Sequence, residues 1–414
     1  MRFYSQASSP SQSSCYLIAV CSFLVAACCN VSSLSGDPPS SWDDAPTETL
    51  SKEQRQELVA ERDRLWEEAR GLLKQGKLPA AIDAAEAMLE IERRVLGNYD
   101  LEVAISLGWL AERYLAIEDF DSAREARQER VEILAEIHGK QDWRVADARW
   151  ELAHVTVLAN LSKDDREALA GTSSLQREMS AAHDRSDIPA AVELARKVLA
   201  RRQMLLPDPH PDLSLSLNDL GYFLDLQGDF AEAKEYYEQS LAMDQRLYPT
   251  EEYPNGHPDL AISLSKLGSL LISQGDFAAA MDYYEQVLAM RKRLYSTEEY
   301  PDGHSDVALS LNNLGYLLES QGDLVAARDY TEQALAMYQR LYPTEAYPNG
   351  HGDLATSLNN LGSLLVSMGD LASARGYHEQ ALAMRRRLYP TEEYPNGYGD
   401  LALSLNNLGH LLDL

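Results

Sequence analysis

A period of 47 residues constrains this chain more than any other feature. The segment Ser310-Leu311-Asn312-Asn313-Leu314-Gly315 recurs unchanged at 357–362 and 404–409, and with small changes at 216–221 and 263–268. A second glycine keeps the same register at Gly228, Gly275, Gly322 and Gly369, always followed by Asp. Gly-Asp between two apolar-periodic stretches marks a tight turn. On both sides of it the spacing is helical. Leu311, Leu314, Gly315 and Leu318 fall at i, i+3, i+4 and i+7, and Leu324, Ala327, Thr331, Ala334 and Leu335 share one face beyond the turn. Each unit is therefore expected to be a helix–turn–helix hairpin, with Gly315 and Ala327 removing bulk where the two axes cross. So small a hairpin cannot bury its apolar stripe alone, and stacking the units makes one continuous core. The expected fold class is all-α, an α-solenoid.

Between units lies a linker such as Tyr342–Asp353. Pro343 stops the second helix, Pro348 keeps the chain extended, Asn349-Gly350 turns it, and the Asp353 carboxylate is expected to cap the next helix. The tyrosines are expected to pack on the helix ends. His257, His304 and His351 recur once per unit, too far apart to share a metal with ligand bonds of about 2 Å, and are assigned a structural role beside the cap.

These leucines, the crossing glycine, the Gly-Asp turn and the paired small residues resemble the tetratricopeptide repeat, in the long-helix form similar to kinesin light chains. The resemblance implies a right-handed solenoid whose first helices line the concave side. The regular copies occupy 206–414, and each unit is longer than the light-chain type, the excess sitting in the Tyr-Pro linker. Degenerate copies are expected over 51–205. Turn positions at Gly76, Glu118 and Ser186 continue the pattern, but the 68 residues from Glu118 to Ser186 leave one unit irregular or carrying an extra helix, within 139–185. About eight hairpins are expected in all. The stretch from His138 through Trp143 and Arg144 to His154 also resembles bacterial arrays that precede a caspase-like CHAT peptidase domain. That leaves a second reading, the regulatory arm of a larger effector.

Positions offset from the packing stripe point into the concave side: Leu309, Asn312, Asn313, Tyr316 and Glu319 in one unit, with Asn218, Tyr222, Asn359, Asn360, Asn406 and Asn407 among the equivalents. An Asn side chain offers one acceptor and two donors, so successive rungs can hold the backbone of an extended peptide. Light-chain-type arrays hold peptides this way, and the resemblance implies the same groove here. The alternative is that the asparagines bond between neighbouring helices and define only the stacking. Lys266 is the one cation at the matching positions, which excludes a clamp for a C-terminal carboxylate.

Charge narrows the partners. With 37 Lys and Arg against 65 Asp and Glu, the formal charge is −28. A surface this negative repels phosphate backbones and anionic lipid, so the expected partner is a protein or peptide, neutral to basic, and not nucleic acid. The Glu-Gln pairs at 238–239, 285–286, 332–333 and 379–380 and the strip Arg385-Arg386-Arg387 read as solvated faces. Trp109, Trp143 and Trp150 read as core of the irregular section. Without a phosphate loop, a Ser/His/Asp ordering or a paired-carboxylate signature, the expectation is a non-enzymatic scaffold with no cofactor.

The four cysteines, Cys15, Cys21, Cys28 and Cys29, crowd the first thirty residues. The apolar run from Tyr16 to Cys29 reads as the core of an export signal, and Val25-Ala26-Ala27-Cys28 resembles a bacterial lipobox with Cys28 as the lipid-bearing residue. Ordinary cleavage, an uncleaved anchor and a mis-set start codon that would leave the protein cytoplasmic stay open. The organisation expected is thus a signal over 1–29, a flexible tether over 30–50 and the array. The last helix keeps the apolar residues Leu405, Leu408 and Leu412, and is expected to pair with another chain or to mark a truncation.

Overall fold

The computed structural model describes residues 50–390 and 399–412. The expected export signal, Cys28 and nearly all of the tether lie outside the described residues. So does most of the linker between the last two helices.

Every regular element among the described residues is an α-helix. Seven antiparallel hairpins are formed by α1 (Lys52–Lys74) with α2 (Leu78–Leu96), α3 (Leu101–Ala116) with α4 (Phe120–His138), α7 (Thr172–Asp184) with α8 (Ile188–Leu205), α9 (Pro211–Gln227) with α10 (Phe230–Leu247), α11 (Pro258–Ser273) with α12 (Phe277–Leu294), α13 (Ser305–Gln321) with α14 (Leu324–Leu341), and α15 (Gly352–Ser367) with α16 (Leu371–Leu388). The irregular section holds α5 (Trp143–Asn160) and the short α6 (Lys163–Ala170), and α17 (Gly399–Leu412) comes after the last hairpin. Among the described residues the expected number of about eight hairpins is seven, because α5 packs on α4 without a full-length second helix of its own. The extra residues of the irregular unit are this added helical material.

The turns sit where the repeat register places them. Gly76, Gly228, Gly275, Gly322 and Gly369 all have positive φ, and so do Glu118 and Ser186, at φ 61° and 60°. A left-handed residue costs an L-amino acid about 1–2 kcal/mol, so the worn repeats retain the turn geometry without its preferred residue. The crossing is as tight as expected. A Cβ on Gly315 would stand 2.4 Å from Thr331 Oγ1 and 3.2 Å from the Ala327 carbonyl, and Ala327 is fully buried.

Within the linkers the cap differs from expectation. The N-cap is His351, not Asp353: its Nδ1 accepts the Asp353 backbone N–H at 3.2 Å, and His257 and His304 do the same for Asp259 and Asp306. The aspartate carboxylate instead accepts the hydroxyl of the tyrosine that closes the preceding helix, Tyr248, Tyr295 or Tyr342, at 3.2 Å. That tyrosine ring stacks on the histidine with centroids 3.5–3.6 Å apart. Each of these three linkers is thus a Tyr–His–Asp clasp. An imidazole wins the cap because it can accept the amide hydrogen bond and stack in the same pose.

The tryptophans of the irregular section are not its core. From its C-terminus backward, α5 lies across three successive linkers. Trp150 and His154 meet His210, Ala146 joins Leu247, Tyr248 and Tyr253, and Trp143 packs edge-on to His257 and Tyr295. Asp147 accepts a hydrogen bond from His257 Nε2 at 3.1 Å, and Arg144 pairs with Glu299, 155 residues away. The helix is a strut along the edge of the array. Trp109, by contrast, packs edge-on to Trp66 at 5.5 Å near the start of the array.

Candidate functional site: the inner helical face

The first helices of successive hairpins touch one another, α9 with α11, α13 with α15 and α15 with α17. They form the inner side of the stack. On these helices the two asparagine rows, adjacent in sequence, have opposite fates.

The row of Asn218, Asn312 and Asn359 is buried, at 7%, 7% and 3% exposure. Asn218 Nδ2 donates to Ser263 Oγ at 2.9 Å, Asn359 Nδ2 donates to Ser404 Oγ at 3.0 Å, and Asn312 Oδ1 accepts from Ser357 Oγ at 3.5 Å. Each amide therefore bridges to the first helix of the next hairpin. These three are stacking residues, and their place as groove candidates is corrected: the helical rotation of about 100° between neighbours turns them from the inner face into the interface. Asn406 belongs to the same row but is exposed on α17.

The other row, Asn313, Asn360 and Asn407, is half-buried on the inner face, with Tyr316 exposed at 43% beside it. Two hairpins earlier, on α9, the same line carries Asp219 and Tyr222, and one hairpin earlier, on α11, it carries Lys266. Tyr222 is held by His183, whose Nε2 lies 3.4 Å from the tyrosine hydroxyl. Lys266 Nζ stands 4.6 Å from the centroid of the Tyr222 ring. Burial pushes the Asp219 carboxyl up to about 6 against the opposing pull of Arg202 and Lys266, raises Asp225, and lowers Lys266. The inner face is accordingly a polar strip of free amides, hydroxyls and aromatic rings, acidic toward α9.

A buried polar register escaped the sequence reading. Arg385, expected on a solvated strip, is 1% exposed and donates to the Asp400 carbonyl at 2.7 Å, Ser404 Oγ at 2.8 Å and Thr356 Oγ1 at 3.0 Å. Arg291 and Arg202 make the equivalent bonds to Ser310 and Ser216. The signal was present as Arg291 and Arg385 in one repeat register, each facing the serine of the next first helix. At the same position Asp244 takes the place of arginine, fully buried, and accepts from Ser263 Oγ at 2.6 Å. Burial, reinforced by Asp259, pushes its carboxyl up to about 7.

Asp147, His257 and Asp259 bring one ligand-type atom each within 4.8 Å of one another. Both His257 nitrogens are already engaged, Nδ1 as acceptor from the Asp259 amide and Nε2 as donor to Asp147. The Glu-Gln pairs on the second helices are exposed, as expected. On α17, Leu403 and Leu405 are 39% and 47% exposed, while Leu411 packs into the last core cluster.

Among solved structures, the array of nearly identical TPR-like repeats from Podosopora anserina, designated a kinesin light chain, is 22% identical, with 54% of this chain aligned to 98% of that one at a TM-score of 0.42. BtubC (BKLC) from P. vanneervenii is also 22% identical, over 78% of this chain and 93% of that one, at 0.40. A Rap protein complexed with Competence and Sporulation Factor is 14% identical, over 81% and 78%, at 0.35. No curated protein gives a significant sequence match. Two family profiles described as tetratricopeptide repeat match residues 179–246 and, in three copies, 260–306, 307–345 and 354–392. With helical hairpins at those residues and the same turn register running upstream, the chain is a tetratricopeptide-repeat protein.

Proposed function

We propose that this protein is a non-enzymatic interaction scaffold that holds an extended peptide, or a segment of a partner protein, along its inner face. One observation carries the reading: Asn313, Asn360 and Asn407 recur at one rung per hairpin, and no side-chain amide among them has a hydrogen-bond partner within the described residues. Their neighbours in the other row spend their amides on stacking. A free amide presents both a donor and an acceptor to a peptide backbone, so a ladder of them binds main chain with little regard to side chains. Tyr316 and Tyr222 then supply apolar area with a polar tip, the kind of side chain that dominates binding energy at interfaces.

The test replaces all three residues. Asn313→Ala, Asn360→Ala and Asn407→Ala together are expected to weaken capture of library peptides by the full chain at least tenfold, with the far-ultraviolet circular dichroism unchanged. Undiminished capture by the triple variant would refute the groove, and a collapse of helicity would return the row to a stacking role.

A further inference from the structure

We propose that the inner face selects a cationic peptide and fixes its direction by seating one arginine side chain of the ligand against Tyr222, between Asp219 and Asp225. This rests on the groove reading above and adds the chemistry of the occupant.

The polarity of the inner face changes along the array. On α9 it offers Leu215, Asp219, Tyr222 and Asp225; on α13 and α15 it offers amides, hydroxyls, Tyr316 and one carboxylate, Glu319, which accepts a hydrogen bond from Ser367 Oγ at 2.7 Å. A ligand bound along such a strip meets two carboxylates without a hydrogen-bond partner among the described residues only at α9. There two carboxylates face the Lys266 ammonium, with the buried Arg202 guanidinium also acting on Asp219, and neither the Asp219 nor the Asp225 carboxylate makes a hydrogen bond or an ion pair among the described residues. Both are held partly away from water, which disfavours their charge and raises their carboxyls. An added cation would relieve that cost. The face is therefore complementary to positive charge at this one place.

The protein already shows how the cation would sit. Lys266, from the next hairpin, places its ammonium over the Tyr222 ring at 4.6 Å, the geometry of a cation–π contact. The ring is fixed for this task by the His183 contact to its hydroxyl and by edge-on packing of His183 and Phe223, with centroids 5.7 and 5.2 Å away. Lys266 fills the position incompletely, since it forms no ion pair with either aspartate and burial disfavours its own charge. Its four-carbon stem can swing aside. A guanidinium is planar, stacks on an aromatic ring and presents a fork of donors that can reach two carboxylates together, so arginine is favoured over lysine in the ligand.

The experiment uses the full chain and fluorescein-labelled nonapeptides of alanine, serine and glutamine with a single Arg, Gln or Glu moved through each position. Fluorescence anisotropy is expected to show Arg binding at least fivefold tighter than Gln at one position toward one end of the peptide, and Glu weaker than Gln there. Asp219→Asn with Asp225→Asn should erase the Arg preference, read as the ratio of Arg-peptide to Gln-peptide affinity on the same variant. Lys266→Met should widen the preference. Because burial pushes the Asp219 carboxyl up to about 6 against the pull of Arg202 and Lys266, acidification through that pH should shrink it. Neutral peptides that bind through the asparagine row with no Arg preference, or with Glu preferred, would overturn this inference and leave the groove standing. If no peptide binds the wild-type chain, both fall.

Discussion

At the residue scale, Asp244 departs furthest from the pattern of its repeat. Arg202, Arg291 and Arg385 occupy the corresponding place and tie the second helix of one hairpin to the first helix of the next. Asp244 keeps the link to Ser263 but brings a buried carboxylate close to Asp259, and the hydroxyls of Ser214 and Ser263 and the nearby His257 offset this only in part. Its carboxyl is raised to about 7, above the ordinary aspartate range. The folded state thus holds the proton more tightly than the unfolded state. The group's stabilising contribution is complete below about pH 4 and is lost as the pH rises through 7. Asn at this position does not titrate. Chemical denaturation of wild type and Asp244→Asn across this window should show the difference moving in favour of the variant by about 2–4 kcal/mol between pH 4 and 7, then levelling off. A difference independent of pH would mean that Asp244 is ionised throughout.

At the scale of the element, α5 is the part of the molecule whose role is set by distant contacts. Its hydrogen bond from His257 to Asp147 joins residues 110 apart in sequence. Removing the acceptor leaves a buried imidazole N–H without a partner, a loss of about 1–3 kcal/mol. Asp147→Ala should therefore speed amide hydrogen exchange in α5 and in the linker around 248–257, with little change in α15 and α16, which α5 does not touch. Exchange that rises evenly over the whole array would refute the strut. The opposite end of α5 carries a second polar contact. His210 Nδ1 accepts the Asp212 amide, so its Nε2 holds the proton and donates to His154 Nδ1 at 3.1 Å. Burial pushes His210 down to about 4 and lowers His154 as well. This end of the strut is accordingly stable above about pH 6.5 and weakened as the pH falls toward 4.

For the whole molecule, stability is the sum of hairpins and the interfaces between them. The buried asparagines belong to the interface term. Asn359→Ala removes the bridge from α15 to Ser404 and also the contact of Asn359 Oδ1 with His378 Nδ1 at 3.0 Å. The expected cost is about 1–3 kcal/mol, and it should uncouple the last hairpin from α17, so that urea unfolding broadens or splits into two phases. Asn360→Ala, next to it on the inner face, should leave the unfolding curve within about 0.5 kcal/mol of wild type. Equal effects from the two substitutions would erase the division of labour between the rows.

The repeat period, the turn register and the small residues at the crossings were all legible in the sequence, because they are local: a glycine next to a leucine acts within its own hairpin. Even the worn turns at Glu118 and Ser186 keep their register, although neither is the residue a left-handed turn favours. Three assignments needed the folded chain. Whether Asn312 or Asn313 is buried between hairpins or left on the inner face depends on about 100° of helix rotation, which the packing of the next hairpin settles. Arg385 looks solvated in a run of arginines until a serine 19 residues onward is brought over it. The strut α5 meets linkers up to 155 residues away, and no pattern within 143–160 announces that contact. Short-range periodicity determined that the chain is a stack of helical hairpins; the superposition of hairpins, which only tertiary structure fixes, decided which polar groups are consumed by the stack and which, among the described residues, stay unpaired on the inner face.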